Sequence, residues 1–229
     1  MELREYMSIR RAYNLIRQAT PSEGRLTFEE FAILAHLQES GDHLKTSAIA
    51  DYQDVLRPTM THRTNHLAQL GFISRHEGEK DRRNVYCTIS DKGVQELKRL
   101  SQGVVDNIPK GQPLSHINAG RVLKYVDAMG AHFCTAGDLA LLGLEILGGE
   151  TKTVTTLVKT LGLLQPTVSM SISSASKSGY VTRKRNVETT ARTVSIVLTE
   201  EGKERAKELT EIIQGIVVHS TPHVAKTNE

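Results

Sequence analysis

Two stretches of the sequence place hydrogen-bonding side chains along a helix beside a cluster of basic residues. In the first, at about 100° per residue, polar side chains share one side of a helix. The other side, which we predict to face the core, carries Met60, Thr64, Leu67 and Gly71. Short or planar donors and acceptors of this kind can bind phosphates and base edges in the major groove of duplex DNA. The candidate DNA-binding residues of this stretch are Arg57, Thr59, Thr61, His62, Asn65 and His66.

The second stretch repeats this pattern with a different composition. Serine hydroxyls, which dominate it, hydrogen-bond phosphates but discriminate poorly between bases. We therefore predict that the first stretch is the more specific DNA reader and that the second positions the protein on the phosphate backbone. The candidate residues here are Gln165, Thr167, Ser169, Ser173 and Lys177, followed by Lys184, Arg185 and Arg192.

A basic turn after the first stretch contains Asp81, Arg82 and Arg83. Arginine suits the narrow and strongly negative minor groove, and a neighbouring aspartate can hold it in place through a bidentate pair. Asp81 is therefore predicted to support the two arginines. Thr189 and Thr190 stand near the corresponding place in the second stretch, so a looser contact is predicted there.

Positive charge is gathered around these two stretches. The chain has a net charge of +3, but residues 57–83 carry six basic and three acidic side chains, and residues 151–192 carry seven and one. Clustered basic residues are typical of a surface that binds a polyanion. Hydrophobic residues at 38% and charged residues at 24% fit a globular chain with a core. No apolar run reaches the roughly 18 residues of a membrane span, so no membrane partner is expected.

Nothing in the sequence has the pattern of an enzyme or a metal site. We find no phosphate-cradling glycine-rich loop and no nucleophile elbow, so we expect neither enzymatic activity nor a cofactor. His62 and His66 have i, i+4 spacing but lack further ligands nearby, which favours a solvent- or phosphate-facing pair over a metal site. Cys87 is predicted to be a buried structural thiol. Cys134 precedes the helix-capping Thr135, where the helix dipole can lower its pKa; an oxidant-sensing role is the less favoured alternative.

The two stretches belong to an internal repeat. Proline, glycine, threonine and apolar positions agree in one register, which indicates two diverged copies of one domain. The offset grows by one residue beyond the basic turn, because loop tips accept insertions most easily. A shift of 108 residues, and then of 109, aligns Gly41 with Gly149, Leu56–Thr59 with Leu164–Thr167, Leu70–Arg75 with Ser178–Arg183, and Ser90–Gly93 with Thr199–Gly202.

Each copy is predicted to contain helices followed by a hairpin. Capping residues and a first-turn proline indicate the helix starts, and alternating apolar residues indicate the strands. This order predicts a winged helix-turn-helix, so the fold class is mainly α with small two-stranded β-wings. The predicted elements of the first copy are a helix capped by Thr27, helices at Thr46–Tyr52 and Pro58–Leu70, strands at Phe72–Glu77 and Val85–Ile89, and a helix from Ser90 to Val105.

Further helices at Leu3–Arg17 and Ile117–Ala131 are related by the same shift. With the helices that follow each wing, they can form one apolar interface shared by both copies. Pro109 and Pro113 mark the junction. We therefore expect two tandem winged-helix domains, at residues 1–108 and 109–229, the second ending in a short tail. We expect a monomer with an internal pseudo-two-fold axis, with a homodimer as the alternative.

The first wing and the helix start behind it resemble a known family. Residues 81–93 look like the wing and last helix of the multiple-antibiotic-resistance regulator (MarR) family, including its staphylococcal accessory regulator (SarA) branch, and Leu198–Gly202 resembles the same junction. The resemblance covers about Leu26–Leu100 and, more weakly, Thr135–Leu209. It implies a transcriptional regulator that is usually a homodimer with one domain per chain, so this chain looks like a covalent pseudo-dimer. His62 and His66 depart from the arginines that the family often has there.

The sequence thus predicts a sequence-specific transcriptional regulator that binds double-stranded DNA, with recognition helices in the major groove and wings in the minor groove. Two alternatives stay open: a tandem winged-helix module for protein assembly of the chromosome-partition type, and a plasmid replication initiator. A small-molecule effector at the interface between the domains is a further candidate partner. We expect the protein in the cytoplasm, associated with the nucleoid.

Overall fold

The computed structural model describes residues 1–41, 43–78, 81, 82, 84–148, 153–185 and 194–219, without the side chains of residues 184 and 185. The described part is mainly helical with small antiparallel sheets, as predicted. The first half consists of α1 (Leu3–Ala19), α2 (Phe28–Ser40), β1 (Leu44–Lys45), α3 (Thr46–Tyr52), α4 (Arg57–Gln69), β2 (Ile73–Glu77), β3 (Val85–Ile89) and α5 (Asp91–Asn107). The second consists of α6 (Ala119–Ala128), α7 (Ala136–Leu147), α8 (Val154–Leu161), α9 (Gln165–Lys177), β4 (Val181–Arg185), β5 (Val194–Leu198) and α10 (Glu200–Gln214).

Side-chain caps start α2 and α7 in the same way. The hydroxyl of Thr27 accepts from the backbone N–H of Glu30, and that of Thr135 accepts from Asp138, both at 3.2 Å. Each acidic side chain reaches back to the backbone N–H of its threonine, which completes a capping box. Two otherwise unpaired donors are satisfied at each helix start, and the caps predicted at Thr27 and Thr135 are confirmed.

The helices α4 and α9 each carry a proline in their first turn and end just before a left-handed glycine. Pro58 and Pro166 are the second helical residues. Gly71 has φ +76° and Gly179 has φ +80°, a conformation that costs glycine no steric strain. The prediction that Gly71 faces the core is wrong, because the helix has already ended and the residue is exposed.

The junction between each hairpin and the following helix has the same hydrogen bonds in both halves. Ser90 donates its backbone N–H to the carbonyl oxygen of Phe72 at 3.0 Å, and Thr199 donates likewise to Tyr180 at 3.0 Å. Both hydroxyls also cap their helices, accepting from the third helical residue at 3.0 Å. The helix start predicted at Ser90 is confirmed, and Thr199 caps its helix at the position that the repeat aligns with Ser90.

A glycine is required one turn into each of these helices. A Cβ on Gly93 would lie 2.0 Å from the carbonyl oxygen of Phe72, and one on Gly202 would lie 1.9 Å from that of Tyr180. Both obstacles are backbone atoms, which cannot rotate away. The close approach of helix and hairpin therefore depends on glycine in each half.

The two sheets differ in strand number. In the first half the order is β1-β3-β2, and Leu44 and Lys45 pair with Cys87 and Tyr86. The predicted two-stranded hairpin is present as β2 and β3, and β1, which was not predicted, adds a third strand on the outer side of β3. The second half has the predicted two strands, β4 and β5. Their register, Val181 opposite Leu198, repeats that of Ile73 opposite Ile89 in the first half.

Helices of the two halves pack against one another through α1 and α6. Helix α1 lies against α5 and also against α7, α8 and α10, while α6 lies against α2 and α5. The predicted helix at Ile117–Ala131 begins at Ala119, and its last turn, Met129–Ala131, is a 3-10 helix. Gly149 lies outside the described residues, and Gly148 is the residue that ends α7.

No single described helix combines the length and apolar character needed to cross a membrane. The helical segments Ala119–Ala131 and Ala136–Leu147 meet that requirement only when taken together, and they are bent by 114° at their junction.

Candidate nucleic-acid interface

Helix α4 has one buried face and one exposed polar face. Met60, Thr64 and Leu67 are fully buried, and the Thr64 hydroxyl donates to the carbonyl oxygen of Met60 at 3.0 Å, so the buried face has no unsatisfied hydroxyl. The opposite face is available for an external ligand, since its side chains form no hydrogen bond with another described residue. Arg57, Thr59, Thr61 and His62 on this face are exposed, and Asn65 is half-buried.

His66 contacts a partner that the sequence did not indicate. Its Nδ1 lies 2.6 Å from Oε1 of Glu30 on α2, and the Glu30 residue is only 3% exposed. The second oxygen of that carboxylate accepts from the backbone N–H of Thr27 at 2.8 Å. Because Nδ1 is engaged by Glu30, the predicted contact of His66 with DNA requires its other ring nitrogen, Nε2.

Arg63 braces α4 from the inside. Its Nη1 donates to Oε1 of Gln53 at 2.7 Å, and its guanidinium carbon lies 5.9 Å from the ring centroid of Phe133. The partner of Arg63 is therefore the neutral amide of Gln53 rather than a carboxylate. Gln53 in turn donates to the backbone of Glu29 at 2.9 Å, so α4, the end of α3 and α2 are joined through one buried amide.

The tip of the first hairpin places an arginine in solvent. The Arg82 side chain is 90% exposed, and its Nε lies 3.8 Å from a carboxylate oxygen of Glu77. Asp81 accepts from the amide nitrogen of Asn84 at 3.3 Å. Arg82 thus lies beside Glu77, the last residue of β2 before the turn. The support of Arg82 and Arg83 by Asp81 stays a prediction. Arg83 lies outside the described residues.

Helix α9 presents a more internally bonded face than α4. Gln165 and Lys177 are exposed, and Thr167 and Ser169 are half-buried. The Ser173 hydroxyl donates to the carbonyl oxygen of Ser169 at 2.9 Å and accepts from Nη2 of Arg183 at 2.8 Å, so it is already engaged. The side chains of Lys184 and Arg185, and all of Arg192, lie outside the described residues.

Both cysteines are buried. Cys87 is 0% exposed, and burial raises its pKa more than the nearby Thr46 hydroxyl and Arg75 guanidinium lower it. Burial likewise raises the pKa of Cys134, against the smaller effects of the Tyr6 hydroxyl and the Arg10 guanidinium. The predicted burial of Cys87 is confirmed. The predicted lowering of the Cys134 pKa is wrong, because desolvation outweighs the helix start.

Residues 26–85 match the sequence model of the MarR family. This segment is a MarR family domain. It runs from the residue before the α2 cap to the first residue of β3, so α4 and its exposed face lie inside it. No curated protein matches the chain.

Two solved structures are similar to part of the chain. The YusO protein from Bacillus subtilis has 23% sequence identity over 43% of this chain and 65% of its own, with a TM-score of 0.35. The transcriptional regulator PA4135 has 27% identity over 42% of this chain and 69% of its own, with a TM-score of 0.36. The chain therefore spans just under two thirds of the YusO structure.

Proposed function

We propose that the protein regulates transcription by binding specific sequences of double-stranded DNA, with α4 and α9 in major grooves and the two hairpins over minor grooves. The observation that carries the proposal is the exposed face of α4 in the MarR domain. Its donors and acceptors have no hydrogen-bond partner among the described residues, and a helix of this size fits the major groove. Basic residues on both sides of it supply attraction to phosphates.

We further infer two tandem winged-helix domains, residues 1–108 and 109–229, in one chain. Three features that recur at shifts of 108 and 109 residues support this inference. They are the capping boxes at α2 and α7, the left-handed glycines after α4 and α9, and the registers of the two hairpins. Because α1 and α6 each pack on the opposite half, the halves are held together within one molecule. The protein then acts as a monomer with a pseudo-two-fold axis, whose halves meet independently of concentration.

The two halves contribute unequally to sequence recognition. Asn65 and His62 on α4 can make directional contacts with base edges. On α9, Ser173 is engaged by Arg183 and Ser169, which leaves hydroxyls and Lys177 to bind mainly phosphates. The half-site bound by α4 is then restricted to few base sequences, whereas the half-site bound by α9 accepts many.

A cleft between the halves offers a place for a small-molecule effector. It has a volume of about 410 Å³ and is lined by apolar and basic side chains of α1 together with residues of α7, α8 and the inter-domain segment. Arg11 at its edge donates to the backbone oxygens of Lys159 and Asn107 at 3.0 and 3.3 Å. An acidic amphipathic molecule that drew Arg11 away would loosen α1 from α8, and so alter the spacing of the recognition helices.

Selection of bound fragments from random duplex DNA tests the proposal. We expect one enriched motif, and weaker binding of that motif when Asn65 is replaced by alanine. Since DNA is the proposed ligand, we expect the protein in the cytoplasm at the nucleoid. Failure to enrich any duplex, together with salt-independent binding of a protein partner, would favour a protein-assembly module. Enrichment confined to plasmid replication origins would favour a replication initiator.

A further inference from the structure

A small basic notch opens beside the exposed face of α4. It has a volume of about 170 Å³ and lies between the start of α3, the first turn of α4 and the part of the hairpin that runs from the middle of β2 to the start of β3. No carboxylate among the described residues lines it. Three of its side chains are cations and the others offer hydroxyl and amide groups; those used here are Lys45, Arg57, Arg75, Thr46, Ser47 and Asn84.

The floor of the notch is held in place by the sheet. Arg75 on β2 lies opposite Cys87 on β3, which is fully buried. The Thr46 hydroxyl donates to the carbonyl oxygen of Val85 at 3.0 Å and lies 3.6 Å from the Cys87 sulfur. Lys45 lies on β1, the strand that the sequence did not predict, with its Nζ 5.7 Å from the ring centroid of Tyr86. The strand pairing therefore brings Lys45 and Arg75 to one site.

One polar atom in this region is buried and unpaired. The Nε of Arg75 has no hydrogen-bond partner within the described residues. A buried donor without a partner is costly, and three cations around one small opening repel one another. An oxyanion that enters the notch offsets the charge of the cations, and its oxygens can accept from the guanidinium of Arg75.

We propose that this notch binds one phosphate group, that of the DNA backbone at the edge of the groove entered by α4. This inference rests on the proposed function and adds Lys45 and Arg75 to the contacting residues. The phosphate would fix the register of α4, since phosphate contacts position a protein on the duplex.

Among its described residues, the second half does not repeat the notch. At a shift of 108 residues, Thr153 stands at the place of Lys45 and Gln165 at that of Arg57. Arg183 matches Arg75, but its Nη2 already donates to the Ser173 hydroxyl. The phosphate site is therefore a property of the MarR domain, and the first half both reads bases and holds the backbone firmly.

The test neutralises single phosphates in the selected duplex by methylphosphonate substitution and measures binding to the full chain. For the unmodified protein, we expect one position at which neutralisation weakens binding roughly tenfold. That position should lose its effect in Arg75→Gln. The same loss is expected in Lys45→Gln. Because Lys45 is exposed, this variant should fold even if Arg75→Gln does not. Each change should also flatten the dependence of log K on log salt by about one unit.

Lys98→Gln is the matched control, because Lys98 is an exposed cation that does not line the notch; its salt slope should be unchanged. If no phosphate position couples to Arg75 or Lys45 while the wild type binds DNA, the notch proposal is overturned and the proposed function stands. Calorimetry with inorganic phosphate in the absence of DNA tests whether the notch binds a free phosphate compound instead of the DNA backbone. Tight binding of phosphate, lost in Arg75→Gln without any change in DNA affinity, would assign the notch to a free phosphate compound. A wild type that binds no duplex would overturn both proposals.

Discussion

The imidazole Nδ1 of His66 lies 2.6 Å from Oε1 of Glu30, which fastens α4 to α2 from its buried side. Four residues earlier on the same helix, His62 is exposed and forms no hydrogen bond with another described residue. The two histidines therefore have different roles: His66 orients the helix, whereas His62 is free to contact a ligand.

Replacement of each histidine by alanine should separate these roles. His66→Ala should lower the free energy of unfolding by about 1–3 kcal/mol, because it leaves Oε1 of the buried Glu30 carboxylate without its partner while Oε2 keeps the Thr27 N–H. His62→Ala should change it by less than about 0.5 kcal/mol and should weaken DNA binding. Urea denaturation and fluorescence anisotropy measure the two effects. Equal losses of stability in both variants would show that His62 also supports the fold.

The helix–hairpin junction predicts a matched pair of destabilising changes. Gly93→Ala and Gly202→Ala each place a methyl group against a backbone oxygen, at 2.0 and 1.9 Å. We expect each to lower the free energy of unfolding by about 3 kcal/mol, the upper range for overpacking. Thermal unfolding measures the change.

Gly137→Ala is the control for this pair. The nearest atom to its added Cβ is the Thr135 hydroxyl oxygen, at an ordinary 3.6 Å, and alanine favours a helix over glycine by up to about 1 kcal/mol. We expect no loss of stability from this change. A large loss from only one of Gly93→Ala and Gly202→Ala would contradict equivalent junctions.

Some of this architecture follows from local signals, and some depends on distant partners. The caps at Thr27 and Ser90 and the helix starts at Pro58 and Pro166 were predictable, because each signal lies within a few residues of the element it starts. Strand β1 was not, since two residues carry no strand pattern and form one only by pairing with β3.

The same limit applies to the site. The exposed face of α4 follows from helical periodicity, but the contact between His66 and Glu30 joins residues 36 positions apart. Cys134 is surrounded by side chains of α1: the Tyr6 hydroxyl accepts from its backbone N–H at 3.1 Å, and Arg10 donates to its carbonyl oxygen at 3.1 Å. Burial among these side chains raises the pKa of Cys134. The helix-start position, taken alone, predicted that this pKa is lowered.

The buried thiols should react slowly in the folded protein. Burial raises the pKa of Cys87 and of Cys134, so less thiolate is present at neutral pH than in the unfolded chain. For an acid with a raised pKa, stability falls as pH rises above the ordinary thiol pKa of about 8.5, because the unfolded state ionises first. Labelling with a thiol reagent at pH 7, before and after addition of denaturant, measures the protection. Rapid labelling of Cys134 in the folded state would contradict this protection and favour the oxidant-sensing alternative.

The unequal contributions of the two halves to sequence recognition should give a DNA site with one strictly specified and one variable half-site. A good bidentate base contact discriminates by about 1–3 kcal/mol, whereas a phosphate contact carries no sequence information directly. Asn65→Ala should therefore relax the preference within one half-site, while Lys177→Ala should weaken binding to all sequences alike. Selection with each variant reports the two effects. A palindromic site, equally constrained on both sides, would show that α9 reads bases as well as α4 does.

The most direct test of the account measures how many chains occupy one selected site. Native mass spectrometry of the complex, combined with a hydroxyl-radical footprint, gives the stoichiometry and the protected positions together. We predict one chain that protects two half-sites about 34–36 Å apart, one helical turn of DNA, because both recognition helices belong to the same polypeptide. An obligate tetramer, with each half-site occupied by a single domain of a separate chain, would contradict the pseudo-dimer.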